Sequence, residues 1–292
     1  LNSVTYSPDG RWILTTSFDS TARVWDTTTS ENMNTLIGNK SYMASAAYSL
    51  DGRFIVTASG DSTARIWNIA TGNEIQLPGD EIRVLSGHTG GVNSATYSPD
   101  AHFILTASSD ETARIWNAAT GDEVRILSGH EGGIRNAAYS PDGSLIVTAS
   151  DDRTARIWDA ITGETIRTLS GHTGSVTSAV YSPDGRFILT ASGRILGDNT
   201  ARIWDVVSGV EIRVLRGHNR GVNSAAYSPD GRYIVTASND GTARIWDADY
   251  RDFITYACTR VFRDFTDEER ARYGLDDTPT CEHFGPLPAA GA

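Results

Sequence analysis

The side chains best suited to chemistry in this chain are histidines, aspartates and small hydroxyls that return at regular distances. His88, His130, His172 and His218 each follow a glycine, and Asp19, Asp61, Asp110, Asp152, Asp198 and Asp240 each stand two residues before a Thr-Ala-Arg run. Hydroxyls such as Thr106 and Ser108 lie between a histidine and the aspartate that follows it. An imidazole held by a carboxylate and aimed at a hydroxyl is the working set of a hydrolase triad. The repetition argues against that use, because near-copies of one catalytic site would be redundant, and histidines placed one to a repeat are too dispersed to share a metal ion.

Other reactive patterns fail on inspection. Asn39-Lys40-Ser41 comes nearest to a phosphate-binding loop, but Asn39 holds the place of the second glycine in G-x-x-x-x-G-K. The chain contains no H-E-x-x-H, C-x-x-C, G-x-S-x-G or acidic calcium loop. The expectation is a protein that is not an enzyme and carries no cofactor or metal.

What positions these residues is a repeat. The pentapeptide T-A-R-[IV]-W ends at Trp25, Trp67, Trp116, Trp158, Trp204 and Trp246, with spacings of 42, 49, 42, 46 and 42 residues, a period that signals a propeller or solenoid. In the third copy Val92–Tyr97 alternates small apolar and polar residues and ends at the turn Ser98-Pro99-Asp100. A β-branched-rich stretch over His102–Ser108, an alternating Thr112–Trp116 and a final Glu123–Leu127 follow, separated by short turns. Four short antiparallel strands per unit make a propeller blade.

The Gly-His pairs, the S-P-D-G turns and the Trp-Asp or Trp-Asn marks at these spacings resemble the WD-repeat family over residues 1 to about 247. The resemblance implies an all-β fold: a six-bladed WD-repeat propeller, with a seven-bladed or incomplete ring as the alternative. Blades are expected at about 1–38, 39–86, 87–128, 129–170, 171–216 and 217–247, followed by an extension over 248–292. It also implies a buried network in each blade joining Trp116, Thr106 (or Ser108 on the same face), His88 and Asp110 in the third copy, with His130, Asp152, His172, Asp198, His218 and Asp240 in the later ones. Such buried polar groups are tolerable only when they satisfy one another. Gly38-Asn39-Lys40 replaces Gly-His in the second blade, and no such loop precedes the first, so those two blades are expected to be the weakest.

Where the copies differ, contact is the expected role. In this blade topology the Gly-His loop and the second turn share one face of the disc. The residue just inside the first strand points there toward the central opening, giving Asn2, Ala44, Asn93, Arg135, Thr177 and Asn223 as a candidate contact ring. The longer fourth interval comes from an insertion over Ser192–Asn199 on that face, which offers Ile195 and Leu196 as a contact pair. A second insertion, Gly72–Asp80, falls on the opposite face.

Composition narrows the partners. Asp plus Glu number 36 against 25 Lys plus Arg, a net charge of −11, and no basic run offers phosphates a footing, so nucleic acid is not an expected partner. No 18-residue apolar stretch or leader pattern is present, so neither a membrane nor a signal peptide is expected. The only two cysteines, Cys258 and Cys281, lie in the extension, which fits a reducing, cytoplasmic setting, with one disulfide between them as the alternative.

After Asp247 the period stops. Phe253, Ala257, Val261 and Phe265 fall on one face of a helical wheel, and Thr266-Asp267-Glu268-Glu269 reads as a capping box, so a short helical extension is expected, packed against the last blade. The segment with Ala257-Cys258, Phe265–Arg270, Tyr273 and Thr280-Cys281 resembles the extension of WD-repeat bacterial signalling ATPases of the NACHT and NB-ARC type. That likeness implies a sensor or autoinhibitory role beside an upstream nucleotide-binding domain. A scaffold or assembly subunit presenting repeated contacts in a homo-oligomer is the competing expectation.

Overall fold

A computed structural model of the chain describes residues 1–69, 81–193 and 198–248, and every regular element among them is a β-strand. Blade 1 comprises β1 (Ser3–Tyr6), β2 (Trp12–Thr16), β3 (Thr21–Asp26) and β4 (Asn32–Ile37); blade 2 has β5 (Met43–Tyr48), β6 (Phe54–Ser59), β7 (Thr63–Asn68) and β8 (Glu81–Ser86). Blade 3 runs through β9 (Val92–Tyr97), β10 (Phe103–Ser108), β11 (Thr112–Asn117) and β12 (Glu123–Ser128), and blade 4 through β13 (Ile134–Tyr139), β14 (Leu145–Ser150), β15 (Thr154–Asp159) and β16 (Thr165–Ser170). Blade 5 contains β17 (Val176–Tyr181), β18 (Phe187–Ser192), β19 (Ala201–Asp205) and β20 (Glu211–Leu215); blade 6 contains β21 (Val222–Tyr227), β22 (Tyr233–Ser238) and β23 (Ala243–Asp247). Each sheet is an antiparallel meander in chain order, four-stranded in the first five blades and three-stranded in the sixth.

The strand runs explain this. Phe-Ile-Leu-Thr-Ala-Ser and its variants are β-branched and apolar, and these second strands are buried on both faces. Thr-Ala-Arg-Ile-Trp alternates, sending Ala113 and Ile115 to one side and Arg114 and Trp116 to the other. Their cross-strand neighbours fix the register, with Ile104 opposite Trp116 and Ala107 opposite Ala113.

The core is a series of equivalent interfaces. Leu105, Ala107, Ala113, Ile115 and Leu127 of blade 3 form one cluster with Ile134, Ala137, Ile146 and Trp158 of blade 4. The same positions recur between blades 1 and 2, 2 and 3, 4 and 5, and 5 and 6. Blades 2 to 6 thus each seat a tryptophan against the blade before, and burial of such a side chain contributes about 1.5–3 kcal/mol. The inner strands of all six blades line one central cavity of about 610 Å³, floored by small side chains such as Val4, Ala46, Ala95 and Ala137. This is a six-bladed, all-β propeller architecture. The expected helical extension, the Cys258–Cys281 alternative and the Gly72–Asp80 insertion fall outside the described residues.

Candidate functional site

In blade 3 the reactive side chains are gathered from four separate segments. His88 reaches in from the loop before β9, Thr106 projects from β10, Asp110 sits in the β10–β11 turn and Trp116 lies on β11. The Trp116 Nε1–H donates to Thr106 Oγ1 at 2.8 Å, and Thr106 Oγ1 is 2.8 Å from His88 Nε2. His88 Nδ1 lies 2.8 Å from Asp110 Oδ2. The arrangement suits one neutral tautomer: the Nδ1–H donates to the carboxylate, and Nε2 accepts the threonine hydroxyl proton. Every polar atom along this path then has a partner.

The glycine before the histidine is part of the arrangement. Gly129 holds φ at +148°, and a β-carbon there would meet Arg156 Nη1 at 3.0 Å and the Trp158 ring at 3.5 Å. The loop can bring His130 under the blade only where no side chain intervenes.

Blades 4, 5 and 6 repeat the geometry. His130 Nδ1 lies 2.6 Å from Asp152 and its Nε2 2.7 Å from Thr148; His172 joins Asp198 and Thr190 at 2.9 and 2.8 Å; His218 joins Asp240 and Thr236 at 2.8 Å each. Burial acts to raise the Asp110 carboxyl, but bonds from the Thr112 hydroxyl, the Thr89 amide and His88 outweigh it and hold it down at about 2. The same opposition, with the histidine bond leading the lowering causes, depresses Asp152 and Asp198. Burial also pushes His88 below the ordinary imidazole range against the raising pull of Asp110. The imidazoles are almost wholly enclosed, with side-chain exposures of 0–1%. A hydroxyl that accepts from tryptophan and donates to histidine, with no path to solvent, positions strands rather than attacks a substrate. Among the described residues no trio of His, Cys, Asp or Glu comes together to hold a metal.

The first two blades depart from this pattern. Asn39 takes the histidine's place in blade 2: Thr57 Oγ1 donates to Asn39 Oδ1 at a long 3.4 Å, and Asn39 Nδ2 is buried without a partner. Lys40 N still donates to Asp61 at 2.8 Å and Trp67 to Thr57 at 2.9 Å. In blade 1 the Trp25–Thr15 bond persists at 2.8 Å, while Asp19 turns to Thr21 and Arg23.

The candidate contact ring divides into two kinds of residue. Asn2 donates to the Met43 carbonyl at 2.7 Å, Asn93 to the Ile134 carbonyl at 2.8 Å and Thr177 to the Val222 carbonyl at 2.9 Å, so these three clamp blades 1, 3 and 5 to blades 2, 4 and 6. Arg135 instead pairs with Asp151 in its own blade, Nε to Oδ1 at 2.9 Å. Asn223 bonds Asn239 at 2.7 Å and is exposed, and Ala44 offers only a methyl group. Ile195 and Leu196 lie outside the described residues.

Sequence reasoning missed several participants. Thr112 donates to Asp110 Oδ1 at 2.7 Å, and Thr154, Thr200 and Thr242 do the same in their blades; the signal was the invariant first letter of T-A-R. Ser108, the alternative to Thr106, bonds the Gly90 carbonyl at 2.9 Å and accepts from Asp110 N, so it shapes the turn beside the network. The TAR arginine lies beside its tryptophan: Arg114 pairs with Glu123, Arg202 bridges Glu211 and Asp198, and the Arg156 guanidinium stacks 6.0 Å from the Trp158 ring centre.

In comparison with known proteins, a family model described as "WD domain, G-beta repeat" matches residues 1–26, 30–68, 79–117, 121–159, 163–205 and 209–247. No curated protein matches the chain.

Proposed function

The chain belongs to the WD-repeat family, and we propose that it works as a non-enzymatic protein-interaction and sensor propeller, the C-terminal sensor or autoinhibitory region of a bacterial multidomain signalling protein. The observation that carries this reading is the enclosure of the reactive groups: His, Asp and Thr are consumed in blade frames, leaving the loops that differ between copies as the source of specificity. On the Gly-His face these are the Arg135–Asp151 and Asn223–Asn239 pairs, and the inserted sequence with Ile195 and Leu196 is proposed for the same role. The likeness of the segment around Ala257-Cys258 and Phe265–Arg270 to extensions of NACHT and NB-ARC ATPases supports the multidomain context, with the reaction in an upstream nucleotide-binding domain and the propeller reading a protein partner in the cytoplasm. The acidic balance of −11 disfavours nucleic acid in that role.

A nucleotide-binding domain encoded upstream of Leu1 is the expected genomic finding. Its isolated form should lose nucleotide turnover control when the propeller is removed, and unchanged turnover with and without the propeller would sink the autoinhibitory reading. For the contact face, Arg135→Ala combined with Ile195→Ser and Leu196→Ser should weaken capture of the upstream domain with no change in melting temperature. Undiminished capture would exclude that face.

One observation favours the scaffold reading. Val124, Ile126 and Ile166 on the outer strands stand 43–48% exposed, a repeated apolar rim of the kind that presents the same contact more than once. A solution mass several times that of the monomer would support it.

A further inference from the structure

The two outermost blades leave uncovered a face that every inner blade buries. Ile245 and Val235 of blade 6 are 76% and 43% exposed, whereas Ile157, Ile203, Val147 and Leu189 at the same positions of blades 4 and 5 are at most 4% exposed. Leu1 and Val4 of blade 1 are 79% and 60% exposed, where Met43 and Ala46 of blade 2 are 0% and 8%. In blades 1 to 5 the third strand pairs with a fourth, whereas the described sheet of blade 6 ends at its third strand, β23. A contiguous apolar face beside an open sheet edge marks a surface built to be covered.

We propose that residues 249–292 of this same chain seat in the space between blades 6 and 1, covering Val235, Ala237, Ala243 and Ile245. Ala248, whose amide donates to the Arg232 carbonyl at 2.8 Å, anchors the start of the segment on blade 6, so docking is intramolecular and needs no second molecule. The segment is about as long as one repeat period of 42 residues, enough to fill a blade's place. Its first part is rich in large apolar groups, Phe253, Ile254, Val261, Phe262 and Phe265, which suit a surface of valine, alanine and isoleucine.

A second copy of the chain fits the space poorly. Its blade 1 would arrive with blade 2 fixed behind it through the Asn2–Met43 bond and the shared cluster of Leu14, Val24 and Trp67. Those two blades would have to enter one space together, whereas residues 249–292 bring about one repeat's length of chain.

The inference does not depend on which partner the Gly-His face takes, and the full chain carries its own probe. Its only two cysteines, Cys258 and Cys281, lie in the docking segment. In Ile245→Asp, their reaction with an aromatic disulfide reagent should accelerate about tenfold or more, since a carboxylate under the segment removes a buried contact. Ile161→Asp, at a residue equally exposed at 78% on a blade-4 turn, should leave the rate unchanged. Should Ile245→Asp fold poorly by circular dichroism, Ile245→Cys replaces it: a short bismaleimide is expected to join the new thiol to Cys258 or Cys281 within one chain. Equal thiol rates in the two Asp variants, or cross-links only between chains, would overturn the proposal. So would a dimer that Ile245→Asp splits without altering thiol reactivity, which would assign the face to a second copy.

Discussion

His88 Nδ1 and Asp110 Oδ2 meet at 2.8 Å across 22 residues of chain, and the same contact closes over 22, 26 and 22 residues at His130–Asp152, His172–Asp198 and His218–Asp240. The contact survives the insertion that lengthens the third of these intervals, so it is the blade's frame that is kept constant while the loop around it varies.

Removing the imidazole should therefore be costly. His130→Ala leaves Asp152 and Thr148 enclosed without their partner and opens space beside Trp158, and a loss of about 2–4 kcal/mol is expected from those combined terms. Urea denaturation followed by tryptophan fluorescence measures it. A loss below about 0.5 kcal/mol would show that the network does not hold the blade.

Blade 2 offers the converse experiment. Asn39 Nδ2 is orphaned and its carbonyl sits 3.4 Å from Thr57, while Asp61 already accepts the Lys40 amide at 2.8 Å as Asp110 accepts that of Thr89 at 2.9 Å. Asn39→His should restore both bonds and raise stability by about 1 kcal/mol. An unchanged or lower denaturation midpoint would mean that the blade-2 loop cannot admit the ring.

A smaller gain is expected at the first turn of blade 3. Ala101 holds φ at +59° where Gly143, Gly185 and Gly231 hold +74°, +73° and +71° in the later blades. Relief of left-handed strain outweighs the added freedom of the unfolded chain, so Ala101→Gly should stabilise by about 0.5–1 kcal/mol. Calorimetry showing a lower melting temperature would refute the strain.

Acid should weaken the fold in two windows. His88 titrates below its unfolded value of 6.5, so the unfolded chain binds the extra proton first, and the stability from neutral, buried His88 is full above that value and falls as pH drops below it. Asp110 is held at about 2 against an ordinary 3.8, so its contribution is full above 3.8 and disappears as pH falls toward 2. A series of denaturation midpoints from pH 8 to pH 2 should decline in both windows. In His88→Asn the upper decline should shrink, and an unaltered slope there would assign it elsewhere.

The architecture was legible because each strand writes the same short pattern several times, and Gly-His and T-A-R mark the loop and strand that the network joins. The role of Asn2, Asn93 and Thr177 as clamps was hidden, since each donates to a carbonyl of the following blade and a main-chain acceptor leaves no trace in residue type. Thr112 was overlooked for the opposite reason: it is constant, and a constant strand residue looks like packing until its hydroxyl is seen on Asp110. The contact face was the least legible part, because exposed side chains answer to a partner that the repeat does not encode.

The clusters between blades 3 and 4 and between blades 4 and 5 follow the same order with near-equivalent residues, Val147 standing for Leu105 and Val176 for Ile134, so the rear of blade 3 and the rear of blade 4 present closely similar sockets. Excising residues 129–170 would bring Trp204 against Leu105, Ala107 and Ile115 much as it now meets Val147, Ala149 and Ile157. Such a chain can gain or lose a copy by simple recombination without any joint becoming foreign. The number of blades is then an inherited variable, and only the curvature that brings the last to the first sets its limit.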